Sequence, residues 1–292
     1  MSEVADVIVI GAGIAGASAA AELAADSRVV VLEAEPQPGY HATGRSASFF
    51  AAAYGNALVR AVTALSEPFF RAPPEGFSEV PLLRPRDLVF FGREDQRPAL
   101  ESLHAEVPSL TPVDGPALLA RVPIMAPGYV GGGLLDGTGG DLDVDAILQG
   151  FMRLARRRGC RLAPGRPVLQ PMRRTAMLLP LPPSTDCRDW PFLVDADEAF
   201  YFKPDAGSLL LSPADETPSP PCDAQAGEYD VALAVDRFER ATTMTVDRVT
   251  HRWAGLRTFA PDRAFVVGFD PRTEGFFWLA GQGGYGVQSA PG

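Results

Sequence analysis

The sequence predicts an α/β fold in which a Rossmann-like unit is interleaved with an antiparallel α+β unit. Three observations predict it. An apolar run, Val7-Ile8-Val9-Ile10, meets a glycine turn, Gly11-Ala12-Gly13-Ile14-Ala15-Gly16, and then an alanine-rich stretch. A second apolar run, Val29-Val30-Val31-Leu32, ends on an acid, Glu33. The second half of the 292-residue chain is a series of short strand patterns divided by proline and aspartate turns.

The opening segment reads as strand, turn, helix, strand. Gly11 permits the tight turn out of the strand. Gly13 lets the backbone approach a pyrophosphate, and Gly16 lets the helix pack close to the sheet. The helix N-terminus, around Ile14 and Ala15, offers unpaired N–H groups and a positive dipole end to phosphates. Glu33 follows Gly11 by 22 residues (33 − 11), against the about 20 expected of an acid that accepts hydrogen bonds from an adenosine ribose. That acid favours NAD or FAD over NADP, whose 2′-phosphate it would repel.

After Glu33 the residues 34–46 form a loop with Pro36, Pro38, Gly39 and Gly44. A helix is expected over 56–71, a strand over 86–91, short helices over 100–107 and 115–121, and a strand over 130–135. Asp143 or Asp145 caps a helix running to about Arg158. Strands follow over 175–179, 192–194, 199–203 and 209–211, then a proline-rich excursion over 217–221 and a helix over 230–241. The hydrophobic stretches 264–269 and 276–280 are expected to return to the core as strands. The cofactor-binding domain is assigned to 1–80, 136–170 and 255–292, and the substrate domain to 81–135 and 171–254.

Composition excludes several classes. A net charge of −10 argues against nonspecific nucleic-acid binding. No run of about 18 apolar residues occurs, so no membrane span is expected. The N-terminal apolar run lacks a basic leader and is broken by Gly11 and Gly13, unlike a signal peptide. Cys160, Cys187 and Cys222 form neither a disulfide framework nor a zinc spacing, and a reducing cytoplasm is the default location. His41, His104 and His251 show no metal-ligand spacing, and no Gly-x-Ser-x-Gly elbow is present.

Four motifs read together carry a resemblance. Gly11 to Gly16 with Glu33, Gly39-Tyr40-His41-Ala42-Thr43-Gly44-Arg45-Ser46-Ala47, Trp253-Ala254-Gly255-Leu256-Arg257 and Gly281-Gln282-Gly283-Gly284-Tyr285-Gly286 resemble the D-amino-acid-oxidase family of FAD-dependent oxidoreductases. The resemblance spans Val7 to Gln288, is densest at the two ends and between Arg173 and Arg257, and points to the family's D-amino-acid dehydrogenases. It implies FAD as the cofactor. It places Gly11, Gly13, Ile14, Ala15, Gly16, Glu33, Ala34, Thr43, Gly44, Arg45, Ser46, Ala47, Gly281, Gly283, Gly284, Tyr285 and Gly286 around that cofactor. Backbone N–H groups of the late glycines would stabilise the charge of a reduced flavin ring.

The same resemblance assigns the substrate end. Arg257 matches the arginine that pairs with the α-carboxylate, a bidentate match of guanidinium to carboxylate. Arg174 and Tyr201 match a second arginine and a hydroxyl near that carboxylate, and Tyr54 matches an active-site tyrosine. Ser46 and Ala47 match a loop that covers the pocket, and Gly284 a backbone carbonyl near the substrate amine. Asp87, in Leu83-Arg84-Pro85-Arg86-Asp87-Leu88, stands near an acid that reads a cationic substrate side chain; an exposed turn aspartate reads equally well there. Phe49 replaces a polar histidine, which predicts a pocket more tolerant of apolar D-amino acids.

The implied reaction is oxidative deamination of a small amino-acid substrate. A hydride passes from Cα to flavin N5, and the imine hydrolyses to a 2-oxo acid and ammonia. The electron acceptor is a quinone, a dye or O₂. A glycine- or sarcosine-type amine oxidase, or a non-catalytic remnant, are the alternatives. The remnant reading rests on a departure from the family. Only Arg161 to Met172 joins Cys160 to Arg173, where the family has several strands, and the chain stops at Gly292. A shortened member would hold FAD weakly and leave open edges and apolar surface beside its first strand.

Overall fold

The structure, a computed structural model, describes residues 5–164, 171–183, 185–260 and 262–291. Residues 165–170, the middle of the short connection, lie outside the described residues.

The nucleotide unit is built as its glycines require. The strand Val7–Ile10 pairs in parallel with Val29–Glu33, which pairs in parallel with Arg161–Pro164. Helix Ile14–Leu23 crosses between the first two strands. A Cβ on Gly16 would stand 1.8 Å from the Gly11 carbonyl oxygen, so only glycine lets the helix start this close to the turn. Small buried residues, Ala17, Ala20 and Ala21, continue that close approach and bring helix Val144–Arg157 against the first helix through Ile147, Phe151 and Ala155. Asp143, not Asp145, caps that second helix, its Oδ1 accepting from the Ala146 N–H at 2.9 Å. Asn56 caps helix Ala57–Arg71 in the same way, accepting from the Val59 N–H at 3.0 Å.

The larger sheet has nine strands among the described residues. Its order is Thr217–Pro218, Met172–Pro180, Ser208–Ser212, Tyr201–Asp205, Phe192–Asp195, Leu88–Gly92, Gly132–Asp136 and Thr111–Asp114, with His251–Arg257 also paired to Met172–Pro180. Alternation gives the sheet two different faces. Val89, Phe91, Met177, Leu179, Leu193, Phe202, Leu209 and Leu211 pack with helix Glu228–Ala241. Leu88, Phe90, Phe192, Val194, Tyr201 and Leu210 face the opposite way, towards Phe49, Ala51 and Ala53.

The strand His251–Arg257 runs unbroken through the 254/255 division expected from the sequence, so Arg257 ends a strand of the large sheet. A second expectation is corrected. Among the described residues Val266–Phe269 and Phe277–Ala280 pair only with each other, and apart from Ala280 they do not return to the core. Val267 is 61% exposed and Phe269 75%. Their hydrophobicity was the only signal for burial, and no neighbouring strand among the described residues covers them. The first strand also pairs on one edge only among the described residues, and Ile8 and Ile10 are exposed on its uncovered face. No helix among the described residues is long and apolar enough to cross a membrane.

Candidate active site

At the nucleotide turn, Gly11 takes φ +94°, a conformation that favours glycine. A Cβ on Gly13 would meet only Thr43 Oγ1, at 3.3 Å, so its backbone is open to an approaching group. The Ile14 N–H donates to Thr43 Oγ1 at 3.0 Å, which seats the 39–46 loop on the helix N-terminus. Glu33 is anchored beside the turn. Its Oε2 accepts from the Ala12 N–H at 2.7 Å and its Oε1 from the Glu35 N–H at 3.0 Å. One groove gathers motifs far apart in sequence: Gly13, Ile14 and Ala15, then Ala42, Thr43 and Ser46, then Leu256, Arg257 and Thr258, with Gln282, Gly283, Gly284 and Gly286 opposite.

The remaining cofactor candidates shape this groove rather than line it. Gly44 closes its loop through an N–H to the Gly39 carbonyl at 2.8 Å. Gly281, at φ +75°, leads into the lining residue Gly283, at φ +51°, whose N–H donates to the Thr258 carbonyl at 2.8 Å. Ala34 merely follows Glu33 and is outside the lining, as is Ala47, which packs against the sheet cluster of Leu88 and Phe90. Arg45 is turned away from the groove. Its Nη1 donates to the Ala254 carbonyl at 2.8 Å and to the Ala224 carbonyl at 3.3 Å, and its Nη2 pairs with Asp223. The guanidinium therefore ties the loop to a strand of the large sheet through Ala254 and to the 223–224 connection, partners not visible from the local sequence.

The substrate candidates converge because of strand register. In an antiparallel pair, opposed residues share a face, as do residues two apart on one strand. Tyr201 opposes Ser212. Arg174 opposes Gly255, and Met172 opposes Arg257. Arg174 and Arg257 thus project from the same face, and the charges of both act on Tyr201. Arg257 is half-buried at the groove, its Nη1 only 2.6 Å from where a Gly284 Cβ would stand. Among the described residues it has no carboxylate partner. Burial, then the Arg174 charge, lowers its pKa, yet a guanidinium remains cationic. Burial pushes the Tyr201 phenol up, but Arg257 and Arg174 outweigh it and hold it below its usual value.

Tyr54 stacks on Phe90 and lies 5.7 Å from Tyr285, centroid to centroid. Its hydroxyl donates to Glu198 Oε2 at 3.0 Å. Burial and the Glu198 charge raise its pKa well above the usual value. Asp87 does not join this group. It pairs with Arg121 at the end of helix Gly115–Arg121, away from the groove. Phe49 packs on Phe192 in the sheet cluster.

Sequence reasoning missed four residues here. Glu198, at φ +54°, faces Tyr54. Asp215 and Glu216 hold Arg174, and Arg263 holds Glu216. The Asp215-Glu216 doublet directly precedes the two-residue strand Thr217–Pro218, but only the pairing of Thr217 with Arg173 shows where it lands.

The profile of the family described as FAD dependent oxidoreductase (DAO) matches residues 6–170 and 161–292. Solved structures share the fold. Glycine oxidase from Geobacillus kaustophilus is 16% identical, with a TM-score of 0.80 over 98% of this chain and 91% of that one. L-proline dehydrogenase from P. horikoshii is 16% identical, with a TM-score of 0.81 over 100% and 91%. L-alpha-glycerophosphate oxidase from Mycoplasma pneumoniae, a structure with FAD bound, is 13% identical, with a TM-score of 0.82 over 99% and 92%. The glycine turn with Glu33 anchored beside it, and the groove that joins that turn to the late glycines, fit that cofactor, and the chain belongs to the DAO family of FAD-dependent oxidoreductases.

Proposed function

We propose that this protein oxidises amino acids of D configuration to imines, in the manner of D-arginine dehydrogenase, and that the imines hydrolyse to 2-oxo acids and ammonia. One observation carries the amino-acid reading: Arg257, a half-buried guanidinium without a carboxylate partner among the described residues, opens on the groove beside Gly284. A cation partly withdrawn from water with no anion beside it is costly, and a substrate carboxylate would compensate it. The D configuration rests on the resemblance of the 39–47, 253–257 and 281–286 motifs.

FAD, when bound, accepts the two electrons removed from the substrate. The protein's own groups bind and orient. Gly13, Ile14, Thr43 and Glu33 would hold the nucleotide end, and Gly283, Gly284 and Gly286 the flavin end. Arg257 receives the carboxylate, with Tyr201 and Arg174 beside it. A two-point guanidinium contact fixes how the Cα–H is presented. Tyr54, kept protonated by burial and Glu198, closes one side of the pocket with Tyr285. No side chain is required to take a proton from Cα. Asp87 is paired elsewhere, which supports substrates with apolar side chains over strongly cationic ones.

The test is the visible spectrum of the FAD-loaded protein before and after anaerobic addition of D-leucine, D-phenylalanine, D-arginine or sarcosine. Bleaching by the D-amino acids, with D-leucine and D-phenylalanine at least as effective as D-arginine, is the expected result. Bleaching by sarcosine alone would turn the reading to an amine oxidase. An unbleached flavin in every arm would sink it.

A further inference from the structure

Glu216 sits where two guanidiniums meet. Its Oε1 accepts from Arg174 Nη2 at 2.9 Å, and its Oε2 accepts from Arg263 Nη2 at 2.5 Å. Its place follows from the sheet, because the next residue, Thr217, pairs with Arg173. Arg174 is fixed a second time by Nε, which donates to the Asp215 carbonyl at 2.6 Å. On its far side Arg174 acts by charge on Tyr201 and Arg257. A line of partners therefore runs from Arg263, 60% exposed, through Glu216 and Arg174 to the buried Tyr201 and the half-buried Arg257. Arg263 is itself constrained. It has φ +57°, its carbonyl accepts from Asn56 Nδ2 at 3.3 Å, and its guanidinium lies over the Phe259 ring.

We propose that Glu216 is a positioning residue for carboxylate recognition: it holds Arg174 in place beside Tyr201 and Arg257, and Arg263 holds Glu216. The inference rests on the reading that these groups take a substrate carboxylate. Glu216 serves two guanidiniums with two oxygens. Glutamine has one acceptor oxygen and would turn an amide donor towards the other guanidinium, so the exchange is not conservative. Two effects of removing the charge oppose each other. Arg174 loses its orientation, which weakens anion binding, and the site loses a negative charge, which strengthens it. Orientation wins because the direct charge-assisted contact is short, while the longer-range field of a carboxylate this near the surface is screened by salt.

The test uses FAD-loaded protein titrated with benzoate, a simple monocarboxylate, and followed through the flavin spectrum, alongside steady-state kinetics on D-leucine. E216Q should weaken benzoate about tenfold, about 1.4 kcal/mol, and raise the KM for D-leucine by a similar factor, with kcat moving less than about twofold. E216D should recover part of the loss. R263M, a surface change that does not threaten folding, should weaken benzoate by about threefold, and the E216Q/R263M double variant should be no worse than E216Q alone. Unchanged or tighter benzoate binding in E216Q overturns the proposal, as does additivity of the two changes. A variant that only lowers the melting temperature, with benzoate affinity intact, overturns it too. Wild-type protein that binds benzoate but is not reduced by D-amino acids sinks the oxidation reading and leaves this inference standing. Wild-type protein blind to benzoate overturns this inference.

Discussion

Tyr201 lies on the same sheet face as Arg174 and Arg257, and burial and charge pull its phenol in opposite directions. The neutral phenol donates to a carboxylate, whereas the phenolate repels it. Because its pKa lies below the usual value of about 10, carboxylate binding should weaken as pH rises through that lowered value. Benzoate has no amine to titrate and isolates the effect; Tyr201→Phe should abolish the alkaline limb. At Gly284, a methyl group would stand 2.6 Å from Arg257 Nη1. Gly284→Ala should raise the KM for D-leucine tenfold or more (about 1.4 kcal/mol) while the ratio of flavin to protein absorbance stays unchanged. Gly284 and Arg257 were legible in the sequence because each sits in a compact motif. Asp87 was not, because its partner Arg121 is 34 residues away. Glu216 was invisible for a related reason, since strand register alone brings it to Arg174.

The first helix and its turn form the element on which the cofactor depends. Ala at position 16 would put its Cβ 1.8 Å from the Gly11 oxygen. The helix would have to move off the strand and carry the Ile14 N–H away from the groove. Gly16→Ala should therefore purify with most of its FAD lost, read from the 450 nm absorbance relative to 280 nm, even where circular dichroism is near normal. The elements themselves were largely legible. Short apolar runs divided by proline and aspartate turns marked strands of the large sheet, and Asp143 was one of two candidate caps for its helix. The hairpin of Val266–Phe269 and Phe277–Ala280 was legible as two strands but not in its exposure. Burial depends on a neighbour, and a local apolar run does not reveal one.

At the scale of the whole molecule, two strand elements among the described residues each carry several exposed apolar side chains, Ile8 and Ile10 on the first strand, and Val267, Phe269, Phe277 and Leu279 on the hairpin. Exposed apolar surface beside open strand edges favours self-association, and the net charge of −10 opposes it. Val267→Thr combined with Phe269→Lys should lower light scattering at high protein concentration and leave the melting temperature within about 2 °C, the scale of surface substitutions. An unchanged scattering signal would show that these side chains do not drive association.

Arg45 has a mechanical consequence. Its loop walls the groove, yet its guanidinium is bonded to the Ala254 carbonyl, three residues before Arg257 on the same strand. Opening the loop therefore breaks a contact to the strand that carries Arg257, so the wall of the groove and its floor are coupled and do not move independently.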